Sequence, residues 1–499
     1  MQYQSTRNKS IAITSAQAIK QGLSVEGGLF VPDSIPKVSI EEIAGLKNMN
    51  YRERAEFILS RYLTDFTAEE LKYCVENAYT KEKFETDNIA PVYKLDDKAY
   101  FLELWHGPTC AFKDMALQIL PYLLTTSMKK TDENDEVVIL VATSGDTGKA
   151  ALEGFRDVSG TRIVVFYPDN GVSEIQKLQM ITQEGDNVSV CAIKGNFDDA
   201  QSGVKKIFSD GAYKELLAAN RFKLSSANSI NWGRLVPQIV YYFSAYAYML
   251  KADEITLGEK INVVVPTGNF GNILASYYAY QMGLPVNKFI CASNKNNVLT
   301  DFIKTGKYNK NRDFHTTISP SMDILISSNL ERFLYHLSDR DDKLVAEMMN
   351  KLNTEGEYEV SKEIFDRMTE LFAAGCTDDE ATLAAIKKCS EENGYVMDTH
   401  TAVAKSVYDN YAAETGDTTK TIIASTASPF KFNQSVLIAL GGTAAVAGKD
   451  EFTLLTELSE RSGMKIPQSL ASLKTKPKLY TSVCEKSEMI EVVNDFLQI

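Results

Sequence analysis

Between about residue 90 and residue 300, short apolar runs rich in β-branched residues alternate with longer stretches of helical period. Residues 136–143 (EVVILVAT), apolar throughout 137–142, read as a buried strand. Residues 162–167, 188–193, 222–226, 261–265 and 288–292 repeat that pattern, and residues 421–425 (TIIAS) return to it late in the chain. Between them, helices are predicted over 149–155, 173–183, 198–208 and 231–250, and from about residue 272. Ser173 and Gln176 have the spacing of a capping box. This alternation predicts an α/β fold, with parallel sheets flanked by helices.

The flanks read differently. Gly-Gly-Leu-Phe-Val-Pro at 27–32 predicts a loop, and the sequence after it, rich in Glu and Tyr, predicts a separate N-terminal helical region. Residues 330–395 are charged and mostly helical in pattern. The stretches 306–313 and 416–420 read as exposed connections.

A length of 499 residues corresponds to roughly three domains of about 150 residues. The net charge of −13 argues against nucleic acid as the main partner, since phosphate backbones call for a basic footprint. Seven scattered cysteines contain no CxxC pair, which disfavours a disulfide framework or a zinc site. The first residues are polar, and no uncharged apolar run reaches about 18 residues, so neither a secretory signal nor a membrane span is expected. A reduced, cytoplasmic protein follows as the default.

Five segments could carry chemistry. His106-Gly-Pro-Thr-Cys-Ala-Phe-Lys113 follows an apolar run and opens a helical stretch. A lysine there is partly desolvated, which lowers its proton affinity and makes the neutral amine available. Thr143-Ser-Gly-Asp-Thr-Gly148 and Pro266-Thr-Gly-Asn-Phe-Gly-Asn272 each join a strand to a helix, where free N–H groups form an anion site. The first is no P-loop: only two residues separate Gly145 from Gly148, and Ala150 stands at the Ser/Thr position. Residues 424–429 end the late strand with hydroxyl groups. Residues 225–234 bring several amide and hydroxyl groups beside Arg234, a combination suited to phosphate.

Taken in order, these segments resemble the threonine synthases, pyridoxal 5′-phosphate (PLP) enzymes of fold type II related to the tryptophan synthase β chain. Tyr3-Gln-Ser-Thr-Arg7, the stretch 22–32 and Asp398-Thr-His-Thr-Ala402 match further family segments, so the resemblance runs from residue 3 to about 435. It implies a large and a small α/β domain. The expected division is an N-terminal region at 1–95, an α/β segment at 96–265 with the lysine and the smaller domain, and an α/β segment at 266–499 with the PLP-phosphate loop and a helical C-terminal extension. The resemblance makes Lys113 the Schiff-base lysine and proton shuttle. It makes Gly268, Asn269, Phe270, Gly271 and Asn272 the PLP-phosphate cradle, and Thr426 the partner of the pyridine nitrogen. Ser144, Gly145, Asp146 and Thr147 become the substrate-carboxylate loop. Asn228, Ser229, Asn231 and Arg234 become candidates for the substrate phosphate.

The implied activity is conversion of O-phospho-L-homoserine and water to L-threonine and phosphate, by a PLP-dependent carbon–oxygen lyase acting on phosphate. The alternatives are a sister PLP enzyme (phosphohomoserine to 2-oxobutyrate, or a phosphoserine-using synthase) and a catalytically inactive PLP-fold binding protein. The expected partner is a small phosphorylated amino acid, with no metal, no nucleic acid and no membrane, in a monomer or homodimer. Two positions depart from the family pattern: Ser428 where histidine is frequent, and Thr399 where proline is frequent. Cys110, inside the lysine motif, reads as a packing residue.

Overall fold

Two parallel sheets organise the chain. They are seen in a computed structural model that describes every residue except Ser144 and Gly171. The larger sheet has the order Phe372–Cys376, Val286–Ser293, Ile261–Pro266, Thr421–Ser425, Ala99–Glu103 and Val92–Lys94. All neighbours run parallel except the last pair. The second sheet has the order Val483–Cys484, Val188–Ile193, Thr161–Pro168, Glu136–Ala142 and Phe222–Ser225, parallel throughout.

Strand sequence explains the layering. In Glu136–Ala142, Val137, Ile139 and Val141 face the main core, while Val138 and Leu140 face a second apolar cluster. Period-two alternation with both faces apolar demands cover on both sides. Helix Phe197–Ser209 and the C-terminal helix Met489–Leu497 supply the outer cover through Val204, Ile207, Met489, Val493 and Leu497. The chain end thus returns to the second sheet, and each sheet is assembled from segments on both sides of residue 265.

Several local expectations are corrected. Residues 30–32 are not loop: Phe30–Pro32 is a buried strand beside Tyr3–Ser5 in a three-stranded antiparallel sheet with Asn8–Ile13. The strand lies at the sheet edge, where proline's missing N–H costs no ladder bond. Within the predicted helical region 330–395, Phe372–Cys376 is an edge strand of the larger sheet. Lys307–Asn309, expected as loop, pairs with Glu357–Glu359. Ser173 does cap helix Glu174–Ile181, accepting from Gln176 N at 3.3 Å, but Gln176 does not return the bond. Its Oε1 accepts from Ser173 Oγ at 3.2 Å rather than from the backbone, and its Nε2 donates to Asp146 at 2.8 Å.

The lysine loop, both anion loops, the 424–429 segment and the 225–234 segment all leave the C-terminal ends of parallel strands. That is where open α/β sheets gather ligands.

Candidate active site

Lys113 is the residue before the short helix Asp114–Leu117. Its loop is fastened to the end of the central strand by backbone bonds. Leu104 N donates to Ser425 O (2.9 Å), Phe112 N to Thr426 O (2.8 Å) and Ser428 N to Cys110 O (3.0 Å). These bonds bring the buried Thr426 alongside the lysine motif. Asp114 accepts from Thr109 N (2.8 Å) and Thr109 Oγ1 (2.7 Å), while burial lifts its carboxyl to about 6. Cys110 is held in the left-handed region at φ 59°, and burial pushes its thiol up to about 12. The thiol is therefore inert, in keeping with a packing role.

Burial pulls the Lys113 amine down to about 8. Asp146 pushes it back up, and Lys431 and Arg234 pull it further down. Asp146 opens helix Asp146–Phe155 and pairs with Lys431 Nζ at 2.7 Å. Burial alone would raise the Asp146 carboxyl, but Lys431 and Lys113 outweigh it and hold the group well below the usual carboxylate range. Lys431 Nζ also donates to Thr109 O at 2.8 Å, which ties it to the lysine loop. Thr143 Oγ1 accepts from Gly145 N and Gly148 N, both at 3.0 Å, and so shapes the turn before this helix. Thr147 is half-buried. Ser144, the remaining residue expected in this loop, lies outside the described residues.

The second anion loop starts helix Gly271–Met282. Phe270 takes φ 62° and drives its ring into the core against Phe333 and Phe372. A left-handed non-glycine residue is costly, and such residues gather at functional sites. Gly268 admits no side chain: a Cβ there would lie 2.7 Å from Ser321 O. Asn269 turns its side chain outward while its carbonyl accepts from Asn329 N at 3.0 Å. Gly271 is half-exposed. Asn272 Oδ1 accepts from Tyr241 and Tyr242, and its buried Nδ2 has no partner among the described residues.

Helix Trp232–Lys251 faces this loop. Arg234, Gln238 and Tyr241 lie at the i, i+4, i+7 spacing of one helical face. Tyr241 OH donates to Gln238 Oε1 at 3.1 Å, and Gln238 Nε2 would lie 3.8 Å from a Cβ on Gly271. Burial pulls the Arg234 guanidinium down to about 10; its Nη1 donates to Ala227 O, and its buried Nε has no partner among the described residues. An unsatisfied buried donor costs about 1–3 kcal/mol. The Asn272 amide, a glycine that only a bare backbone fits and a neutralisable lysine suit an anionic aldehyde cofactor such as PLP, and the Arg234 guanidinium leaves a donor for a second anion.

The other candidates are placed as follows. Asn231 is buried and spends both polar atoms inside the protein: Oδ1 accepts from Gly233 N (2.8 Å), and Nδ2 donates to Ile19 O (2.9 Å). That makes it a helix cap rather than a phosphate ligand. Asn228 is exposed, and Ser229 Oγ lies 3.4 Å from Ser328 Oγ. Ser428 Oγ accepts from Phe430 N and steadies the turn Pro429–Phe432 that carries Lys431. Thr399 takes the first position of helix Thr399–Thr415, where proline also fits.

Three contributors escape the sequence reading. Lys431 stands alone in a Pro-Phe-Lys-Phe stretch. Gln176 is diverted from its capping box. His400 receives Ser321 N on Nε2 (3.1 Å) and meets Asp398 through Nδ1 (2.8 Å), bracing the turn that packs on Gly268. The N-terminal region also has a place here. The fully buried Arg332 joins Phe30 O, Asn329 Oδ1 and Ile230 O, linking that region to the 225–234 segment and to Asn329, whose N–H holds Asn269 O.

Comparison with known proteins finds relatives over nearly the whole chain. The family model described as pyridoxal-phosphate dependent enzyme covers residues 85–426, between models of the threonine synthase N terminus at 2–79 and C-terminal part at 401–496. The chain belongs to the threonine synthase family. Within the family it is 41% identical to the threonine synthase of Pseudomonas aeruginosa, over 81% of this chain and 83% of that one. It is 40% identical to human threonine synthase-like 1, over 95% of this chain, and spans 63% of that protein's length. The solved PLP-bound threonine synthase from Brucella melitensis superposes with a TM-score of 0.88 at 33% identity, covering 100% of this chain and 99% of that one. The fold type II class expected from the sequence is therefore shown. No helix among the described residues is long and apolar enough to cross a membrane.

Proposed function

We propose that the protein is a threonine synthase that converts O-phospho-L-homoserine and water to L-threonine and phosphate. What carries this reading is a buried lysine with a lowered amine, a glycine-lined helix start, and an arginine whose Nε lacks a partner among the described residues. Bound PLP supplies an electron sink for negative charge developing at the substrate's carbons. Lys113 Nζ would hold it. Gly268, Asn269, Phe270, Gly271 and Asn272 would hold its phosphate with backbone N–H groups and the Asn272 amide. Thr426 would face the ring nitrogen with a neutral hydroxyl.

The protein's own groups divide the remaining work. Lys113 Nζ, in its neutral form, takes the protons at the substrate Cα and Cβ and returns protons at Cα and at Cγ, the carbon that phosphate leaves; water adds its hydroxyl at Cβ and its remaining proton goes to the phosphate. Gly145 N and Gly148 N are occupied by Thr143 Oγ1, so the substrate carboxylate would rest on the N–H groups of Asp146 and Thr147, beside Ser144. Arg234 would stabilise charge on the departing phosphate, with Ser229 and Asn228 at the outer edge of that subsite. All seven cysteines are free and the chain is acidic, which supports a cytoplasmic setting and a small-molecule partner. Lys113→Ala is expected to lose both the visible absorbance of lysine-linked PLP and turnover. A variant that stays yellow and active refutes the assignment.

A further inference from the structure

Lys431 and Asp146 form a buried ion pair where the two sheets meet. Lys431 lies on the turn Pro429–Phe432, just beyond the larger sheet's central strand Thr421–Ser425. Asp146 opens the helix that follows strand Glu136–Ala142 of the second sheet. Their side chains are 0% and 5% exposed, at a separation of 2.7 Å. Lys431 Nζ also donates to Thr109 O of the lysine loop, and Gln176 Nε2 donates to the same Asp146 oxygen that meets Lys431. A buried pair of this kind is weak support for stability, because apolar replacement of both partners is often neutral.

Its position beside Lys113 gives it another use. Asp146 is the charged group that acts most strongly on the Lys113 amine, followed by Lys431 and then Arg234 from helix Trp232–Lys251. The other acid here, Asp114, is turned to Thr109 and also feels Lys431. Cys110, also within reach of Lys431, is held as a neutral thiol. A lone carboxylate next to Lys113 would close an ion pair with it and hold it as an ammonium, which is useless as a base. A second cation fixed on that carboxylate, Lys431 Nζ at 2.7 Å, removes this trap.

We propose that Lys431 is a positioning residue: its ammonium engages Asp146, keeps that carboxylate from pairing with Lys113, and leaves the Lys113 amine free for chemistry. The inference builds on Lys113 as the cofactor lysine, but its test does not depend on turnover. The full-length protein, stripped of PLP, is labelled with acetic anhydride across pH, and acetylation of Lys113 is followed by peptide mass spectrometry. Only the neutral amine reacts, so the rate reports its protonation. Lys431→Met is expected to move the labelling midpoint up by about one pH unit or more, roughly tenfold slower labelling below the midpoint. Lys431→Arg keeps the charge and should keep the wild-type midpoint.

The charges fix an order of midpoints, from highest to lowest: K431M, wild type, the double variant D146N/K431M, then D146N. A folded K431M with an unshifted midpoint overturns the proposal. If K431M does not fold, wild type against the double variant decides. The proposal puts these two midpoints close together, and a wild-type midpoint about one pH unit or more above that of the double variant would show that Asp146 pairs with Lys113 despite Lys431. Failure of the cofactor-lysine reading appears elsewhere, as PLP retained by Lys113→Ala.

Discussion

Gly268→Ala isolates the cradle from the lysine. The new Cβ would stand 2.7 Å from Ser321 O and 3.3 Å from Met322 Cα. Against a normal carbon contact of about 3.5 Å, the deficit at the carbonyl is about 0.8 Å. Both obstacles are backbone and neither is free to swing away. Ser321 N is bonded to His400 Nε2, and Asn294 Nδ2 holds Thr317, Ser319 and Asp323 around the same turn. The 268–272 loop itself must give way. It is pinned by Ser327 Oγ on Gly268 O (2.7 Å) and by Asn329 N on Asn269 O (3.0 Å), so its movement misdirects the N–H groups meant for the cofactor phosphate. Losing one charge-assisted bond costs about 1.5–3 kcal/mol, or roughly 10- to 100-fold in PLP affinity. Overpacking adds about 1–3 kcal/mol of destabilisation in the cofactor-free protein. Absorbance titration of apoprotein with PLP reads the first effect, and thermal unfolding without cofactor reads the second. Wild-type PLP affinity in a folded Gly268→Ala protein would refute the cradle.

Two further outcomes follow from the same geometry. Burial brings the Lys113 amine to about 8, and only its neutral form captures an aldehyde. The rate of PLP capture by apoprotein should therefore plateau above about pH 8 and fall roughly tenfold per unit below it; stopped-flow absorbance measures this, and a flat profile between pH 6 and 9 contradicts it. Asn231→Ala removes a helix cap and a buried bond to Ile19 O, so it should lower stability by about 1–3 kcal/mol in denaturant titration while PLP affinity stays near wild type. An unchanged stability with lost substrate affinity would return Asn231 to the phosphate subsite.

What the sequence reveals depends on how local the cause is. Val188–Ile193 and Thr421–Ser425 are legible because sheets covered on both faces require continuous apolar runs. Phe372–Cys376 (FAAGC) carries no β-branched residue; it is a strand because Val286–Ser293 offers it a parallel edge. Phe30–Pro32 hides behind Gly-Gly and Pro, which mark loops except at a sheet edge. Lys113 and the two glycine loops announce themselves through strand-to-helix position. Lys431 does not, because its partner Asp146 lies far away in sequence and meets it only through the meeting of the two sheets. The segment of His400 is recognisable but its role is not: its partner is the backbone of a turn that no local pattern predicts.

The decisive measurement is product analysis in one tube: PLP-loaded protein with O-phospho-L-homoserine, with phosphate and amino-acid products quantified together. A threonine synthase releases phosphate and L-threonine in a one-to-one ratio. Phosphate released with 2-oxobutyrate would instead make the protein a lyase on the same substrate, and no phosphate release from PLP-loaded protein would remove the proposed activity altogether.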